Sequence, residues 1–111
     1  MSSDPTPVLR VLTDMTASSL EASSLGEPEL MLVRLAALAA MSAPPGSYVL
    51  NIGPAADVGI TLEDVRGVLS GVAPIIGTAR VVGASGNIAR ALAFAAELAD
   101  ELGVADVDDD A

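Results

Sequence analysis

Between Gly59 and Asp64 the sequence ends one helix and begins another. Gly59 suits the position just past a helix C-terminus, where a left-handed backbone lets the last carbonyls find partners. Two residues later Thr61 is placed to cap a new helix, with Asp64 at its third position, close to a capping box. Leu62, Val65, Leu69, Val72 and Ile76 then recur at spacings of three and four, the apolar seam of a helix. Upstream, an element over about 47–58 carries Gly53-Pro54 in its middle. Proline there removes the bond from position 54 to the carbonyl of Leu50, so a kink, or two short pieces, is expected. Pro74 is expected to bend the last turn of the following helix before Gly77.

The rest of the chain repeats this grammar of stops and starts. Thr6-Pro7 supplies an N-cap and a first helical residue, followed by Val8, Leu9, Leu12, Met15 and Leu20 roughly on one face. After a polar connection over 23–28, Pro28 opens a second helix between Glu27 and Glu29, whose charges favour the positive N-terminal end. Leu30–Met41 is apolar on every side except Arg34, which predicts a helix buried in a central layer or between subunits. Ser42-Ala-Pro-Pro-Gly46 ends it. A last helix runs from about Thr78 to Leu102, with Val81, Ile88, Leu92, Ala95, Ala99 and Leu102 at heptad-like spacing. Its flanks are small, and Gly83-Ala-Ser-Gly86-Asn87 reads as a site of close helix packing. No stretch alternates as a strand does, and no repeat is present. The expected fold is all-α, with about five to six helices in one domain over residues 6–103. Residues 1–5 and an acidic tail over 104–111 are expected to be disordered.

Composition removes whole classes of chemistry. The 111 residues contain no cysteine and no histidine, so thiol catalysis, disulfides, thiolate or imidazole metal sites and a histidine base are all absent. No metal or cofactor is called for. Of the 15 acids, seven fall in residues 97–111; the remaining chain keeps eight acids against five arginines. That body offers phosphate backbones no basic patch, and the tail repels them, so nucleic acid is not an expected partner. No apolar run reaches the ~18 residues of a membrane span, and the N-terminus has no basic leader. A cytoplasmic protein is the expectation. Mean hydropathy is +0.56, with one Phe, one Tyr and no Trp. A core of small aliphatic side chains beside so much apolar surface predicts a homo-oligomer.

In this order and spacing, Ile52, Ala55, Gly59, Ile60, Thr61, Glu63, Asp64, Val65, Leu69, Gly77 and Ala79 are similar to the conserved half of the carboxymuconolactone decarboxylase-like (alkyl-hydroperoxidase-D-like) family. The run Glu29–Leu38 resembles that family's first apolar helix, and the likeness covers about residues 27–96. It implies the family's helical fold and a trimer or hexamer. The family works with a histidine in this segment and, in its peroxidase branch, with a Cys-x-x-Cys before it. Here the histidine position falls on Asn51, and the cysteine positions on Ser47 and Pro44. Asparagine relays no proton and proline offers no nucleophile, so dithiol peroxide reduction is excluded and histidine-based decarboxylation loses its base.

Four side chains are left as candidates. Asn51 either faces the family's pocket or caps the turn before Gly53-Pro54. Tyr48, three residues earlier on the same helical face, is either a ligand contact or a core ring with a satisfied hydroxyl. Arg34 either meets a ligand carboxylate or pairs with an acid of a neighbouring helix. Glu29 marks the place of the family's glutamate and is the candidate proton carrier. Three functions follow: a protein binding a small apolar or acidic metabolite between helices through Arg34, Tyr48 and Asn51; a lactone decarboxylase or isomerase working through Glu29; or an assembly module without a ligand.

Overall fold

Local signals in the sequence become five helices in the computed structural model, which describes residues 4–103: α1 (Pro7–Ala22), α2 (Glu27–Ala40), α3 (Pro45–Asp57), α4 (Leu62–Ile76) and α5 (Thr78–Glu101). The fold is all-α, with no strand among the described residues. Residues 1–3, the acidic tail 104–111 and the side chain of Ala99 lie outside the described part.

Three helices open on prolines: Pro7 in α1, Pro28 in α2 and Pro45 in α3 stand at the first or second position, where a missing N–H costs nothing. Pro7 and Pro28 were expected there, whereas Pro45 was expected only to end the preceding helix. Thr6 occupies the N-cap position of α1, but its side chain accepts no backbone N–H. Asp4 instead accepts from the Thr6 N–H at 2.9 Å and from Arg10 Nε at 2.6 Å, which ties the residues ahead of α1 to its first turn without capping it. The Arg10 guanidinium, aided by that N–H, holds the Asp4 carboxyl below its ordinary pKa. At α4 the capping box is complete, with Asp64 N donating to Thr61 Oγ1 at 3.1 Å and Thr61 N to Asp64 Oδ2 at 2.9 Å.

The helix ends are equally specific. Beyond α3, Ile60 N donates to Ala55 O and Gly59 N to Ala56 O, both at 3.0 Å, with Gly59 at φ 87°. This is a Schellman closure, with glycine where the backbone turns left-handed. Beyond α2 the same pattern recurs, Ala43 N to Leu38 O and Ser42 N to Ala39 O, but the left-handed residue is Ser42, at φ 57°. The two short pieces allowed for at Gly53-Pro54 do not form: α3 is one helix to Asp57, with Pro54 inside it. Pro54 sits in the final turn and is exposed, so the helix loses one bond near an end where carbonyls are already unpaired. Gly77, at φ 90°, closes α4 and opens α5.

The helices α2 to α5 pack on one another, α5 chiefly along α3 and α2 along α4. Their common core is Ala39, Ala43, Tyr48, Leu69, Ala84, Ile88 and Ala91, with Leu35, Leu38, Ile52 and Val65 packed at its edge. Alanines at the contacts let the backbones approach, and Tyr48 is the one ring among them. Asn87 Nδ2 ties α5 to the α2–α3 connection through Ala43 O at 3.1 Å. One packing expectation needs correction. The close approach foreseen at Gly83 and Gly86 is not made within the chain. No atom lies within 4 Å of a Cβ placed on Gly83, and only the Arg90 side chain comes so near Gly86, because Ala84, Ile88 and Ala91 carry the inward face. Within the single chain α2 is not buried all round, since Val33 is 52% exposed, so of the two expected settings the central layer of one chain is not the one observed. The first helix, α1, buries none of its residues. No described helix is long and apolar enough to cross a membrane.

Candidate functional site

The four packed helices leave a cavity of about 240 Å³ between them. From α2 its wall takes Met31, Leu35 and Leu38, and from α3 Tyr48, Asn51, Ile52, Ala55 and Ala56. The α3–α4 turn adds Ile60 and Thr61, α4 adds Leu62 and Val65, and α5 closes it with Ile88 and Leu92. Met31, Tyr48 and Ile88 are buried and form its floor, while Ala56, Thr61, Leu62 and Leu92 are exposed and mark its mouth. The Schellman closure of α3 has a direct role here. By turning the chain at Gly59 it brings Ile60 back beside Ala55, and the capping box then starts α4 at the angle that delivers Val65 to the same wall.

No charged side chain lines the cavity, and three polar ones do. Thr61 accepts the Asp64 N–H through its hydroxyl oxygen. Asn51 Nδ2 donates to Ser47 O at 3.1 Å, one turn back along α3. Its carbonyl Oδ1 has no partner among the described residues. Asn51 therefore does not cap a turn; it sits inside a continuous helix and faces the pocket. Tyr48 is 3% exposed, and its hydroxyl is buried without a hydrogen-bond partner among the described residues. It is a core ring, as one of the two readings held, but its hydroxyl is not satisfied. Burial pushes its pKa above 10.

Arg34 is held elsewhere. Its Nη2 donates to Ser19 Oγ at 3.0 Å and to Thr16 O at 3.3 Å, both on α1. The acid partner expected for it is not present among the described residues. A carbonyl and a hydroxyl of α1 take that place, because α1 brings no carboxylate to this turn of α2. Arg34 borders an open groove between α1 and α2, lined also by Met15, Ala37 and Met41. Leu38 and Asn51 are common to groove and cavity. The structure thus brings Tyr48 and Asn51 together and leaves Arg34 on the far side of Asn51. Glu29 stands in the first turn of α2, exposed and folded back over Gly26, and lines neither space.

Spacing within one helix was enough to pair Tyr48 with Asn51. Met31, Ile60, Ile88 and Leu92 carried no such signal, because they reach the cavity from α2, the α3–α4 turn and α5 and read locally as core residues. No family model, curated protein or solved structure matches the chain.

Proposed function

We propose that this protein is a divergent carboxymuconolactone decarboxylase-like protein that has lost the thiol and histidine chemistry and binds a small apolar molecule in the cavity between α2 and α5. The observation carrying this reading is the cavity itself: about 240 Å³, walled by aliphatic side chains, with the Tyr48 hydroxyl and Asn51 Oδ1 unpaired among the described residues. Apolar pockets with few polar groups are the usual form of small-ligand sites. Its placement supports the family reading too, since Asn51 holds the position of the family's histidine and lies on the cavity wall. Ligand binding with no proton carrier at hand favours a binding protein over an enzyme, because Glu29 is outside the cavity. An acidic ligand would have to reach past Asn51 to Arg34 in the adjoining groove.

Thermal melts of wild type and Ala56→Phe in the presence of small apolar compounds test the reading. The added ring stands at the mouth and occupies the space a ligand needs. A compound at about a hundred times its Kd stabilises the wild type by roughly 2.7 kcal/mol and raises Tm by ten degrees or so. Ala56→Phe should show no shift while folding normally. Equal shifts in both proteins would place binding somewhere else.

A further inference from the structure

Resting on that reading, we infer that the cavity selects an uncharged ligand carrying one hydrogen-bond-accepting oxygen, such as a ketone, aldehyde or ester, and rejects the corresponding carboxylate. Size comes first. At about 30 Å³ per small heavy-atom group, 240 Å³ holds a body of roughly eight non-hydrogen atoms. The walls then fix the charge. Their side chains include no base, and Arg34, the nearest candidate, spends its Nη2 on α1 outside the cavity. A carboxylate entering this space would be desolvated without a counter-charge, at a cost a neutral oxygen does not meet.

The phenol at the floor supplies the complementary donor. Tyr48 Oη is covered and has no hydrogen-bond partner among the described residues, and a buried hydroxyl left unpaired is the kind of group a ligand gains by satisfying. A carbonyl oxygen accepts from it and brings no proton that would itself need a partner. The hydroxyl is covered by neighbouring atoms, so a ligand reaches it by a small displacement of the wall. Met31, unbranched and adaptable, is the lining residue best suited to give way. Asn51 Oδ1 remains as a second, accepting group, which distinguishes ligands with an additional hydroxyl from those without.

Cumene, acetophenone and benzoate have the same number of heavy atoms and nearly the same shape, and differ at one end only. Their affinities for wild type, Tyr48→Phe and Arg34→Ala, measured by calorimetry, test the inference. Acetophenone is expected to bind wild type about threefold to tenfold more tightly than cumene, and benzoate at least about tenfold more weakly than acetophenone. In Tyr48→Phe the advantage of acetophenone over cumene should vanish while cumene itself binds as before. Arg34→Ala should leave all three unchanged. A shift of the Tyr48 ring Cζ resonance on adding acetophenone, absent with cumene, gives an independent readout. If cumene binds but acetophenone gains nothing, or keeps its gain in Tyr48→Phe, the cavity reading stands and the ligand class is wrong. If benzoate binds best and loses affinity in Arg34→Ala, the ligand is an anion. If none of the three binds wild type, both readings fall.

Discussion

Tyr48 concentrates the chemistry of this chain at the scale of one residue. Leaving its hydroxyl unpaired costs roughly 1–3 kcal/mol, so Tyr48→Phe should raise the stability of the free protein by about 1 kcal/mol in urea unfolding. The same burial has a pH consequence. Because the folded phenol titrates above its unfolded value of 10.0, the folded state keeps its proton where the unfolded state loses it. Stability is therefore complete below pH 10 and falls as pH rises from there through the folded value. The chain has one tyrosine, so phenolate absorbance reports this group alone, and it has no lysine to titrate in the same range; Tyr48→Phe should lack the alkaline loss. Ser42 offers a second test. It holds a left-handed φ of 57° that glycine adopts freely, and Ser42→Gly should stabilise by about 1 kcal/mol. The shared face of Tyr48 and Asn51 was readable from three-residue spacing alone. The unpaired hydroxyl was not, because it depends on which atoms α2 and α5 place around the ring. Nor was Ser42, since serine gives no local sign of a left-handed backbone.

Among the helices, those with reciprocal end signals were the most readable. Thr61 and Asp64 cap each other as their spacing foretold, and Thr61→Ala should cost about 1 kcal/mol. That loss should also loosen the cavity, since the cap sets where α4 meets the α3–α4 turn. Pro7 and Pro28 were readable as helix starts for a related reason: their effect is local and needs no partner, whereas Pro45 read only as the stop of α2. Pro54 does not split α3, because its cost depends on distance from the helix end, which here is three residues away. The relation of α1 to the body is tertiary and left little mark in the sequence. Arg34 supplies two side-chain hydrogen bonds to α1, which itself buries no residue. Arg34→Gln should therefore speed amide exchange across residues 7–22 while leaving that of α4 and α5 nearly unchanged. Uniform acceleration in every helix would show instead that Arg34 supports the core.

As a whole, the molecule has a thin interior for its composition. Its core is mostly alanine, while Val8, Leu9, Val11, Leu12 and Met15 of α1 and Ile75, Val82, Phe94 and Leu102 remain exposed. Apolar surface on that scale supports the proposed homo-oligomer. Sedimentation at micromolar concentration is expected to give more than one chain per particle, and Leu12→Glu to shift it towards the monomer. The all-α class was readable because helix periodicity and end signals agree along the chain; the cavity was not, because four helices must meet before it exists. The most direct test of a ligand site there is methyl NMR of wild type titrated with acetophenone. Met31, Ile52, Ile60 and Ile88 are expected to shift together and saturably, with Met15 and Met41 of the neighbouring groove unmoved. Shifts confined to Met15 and Met41, or none at all, would contradict a ligand site between α2 and α5.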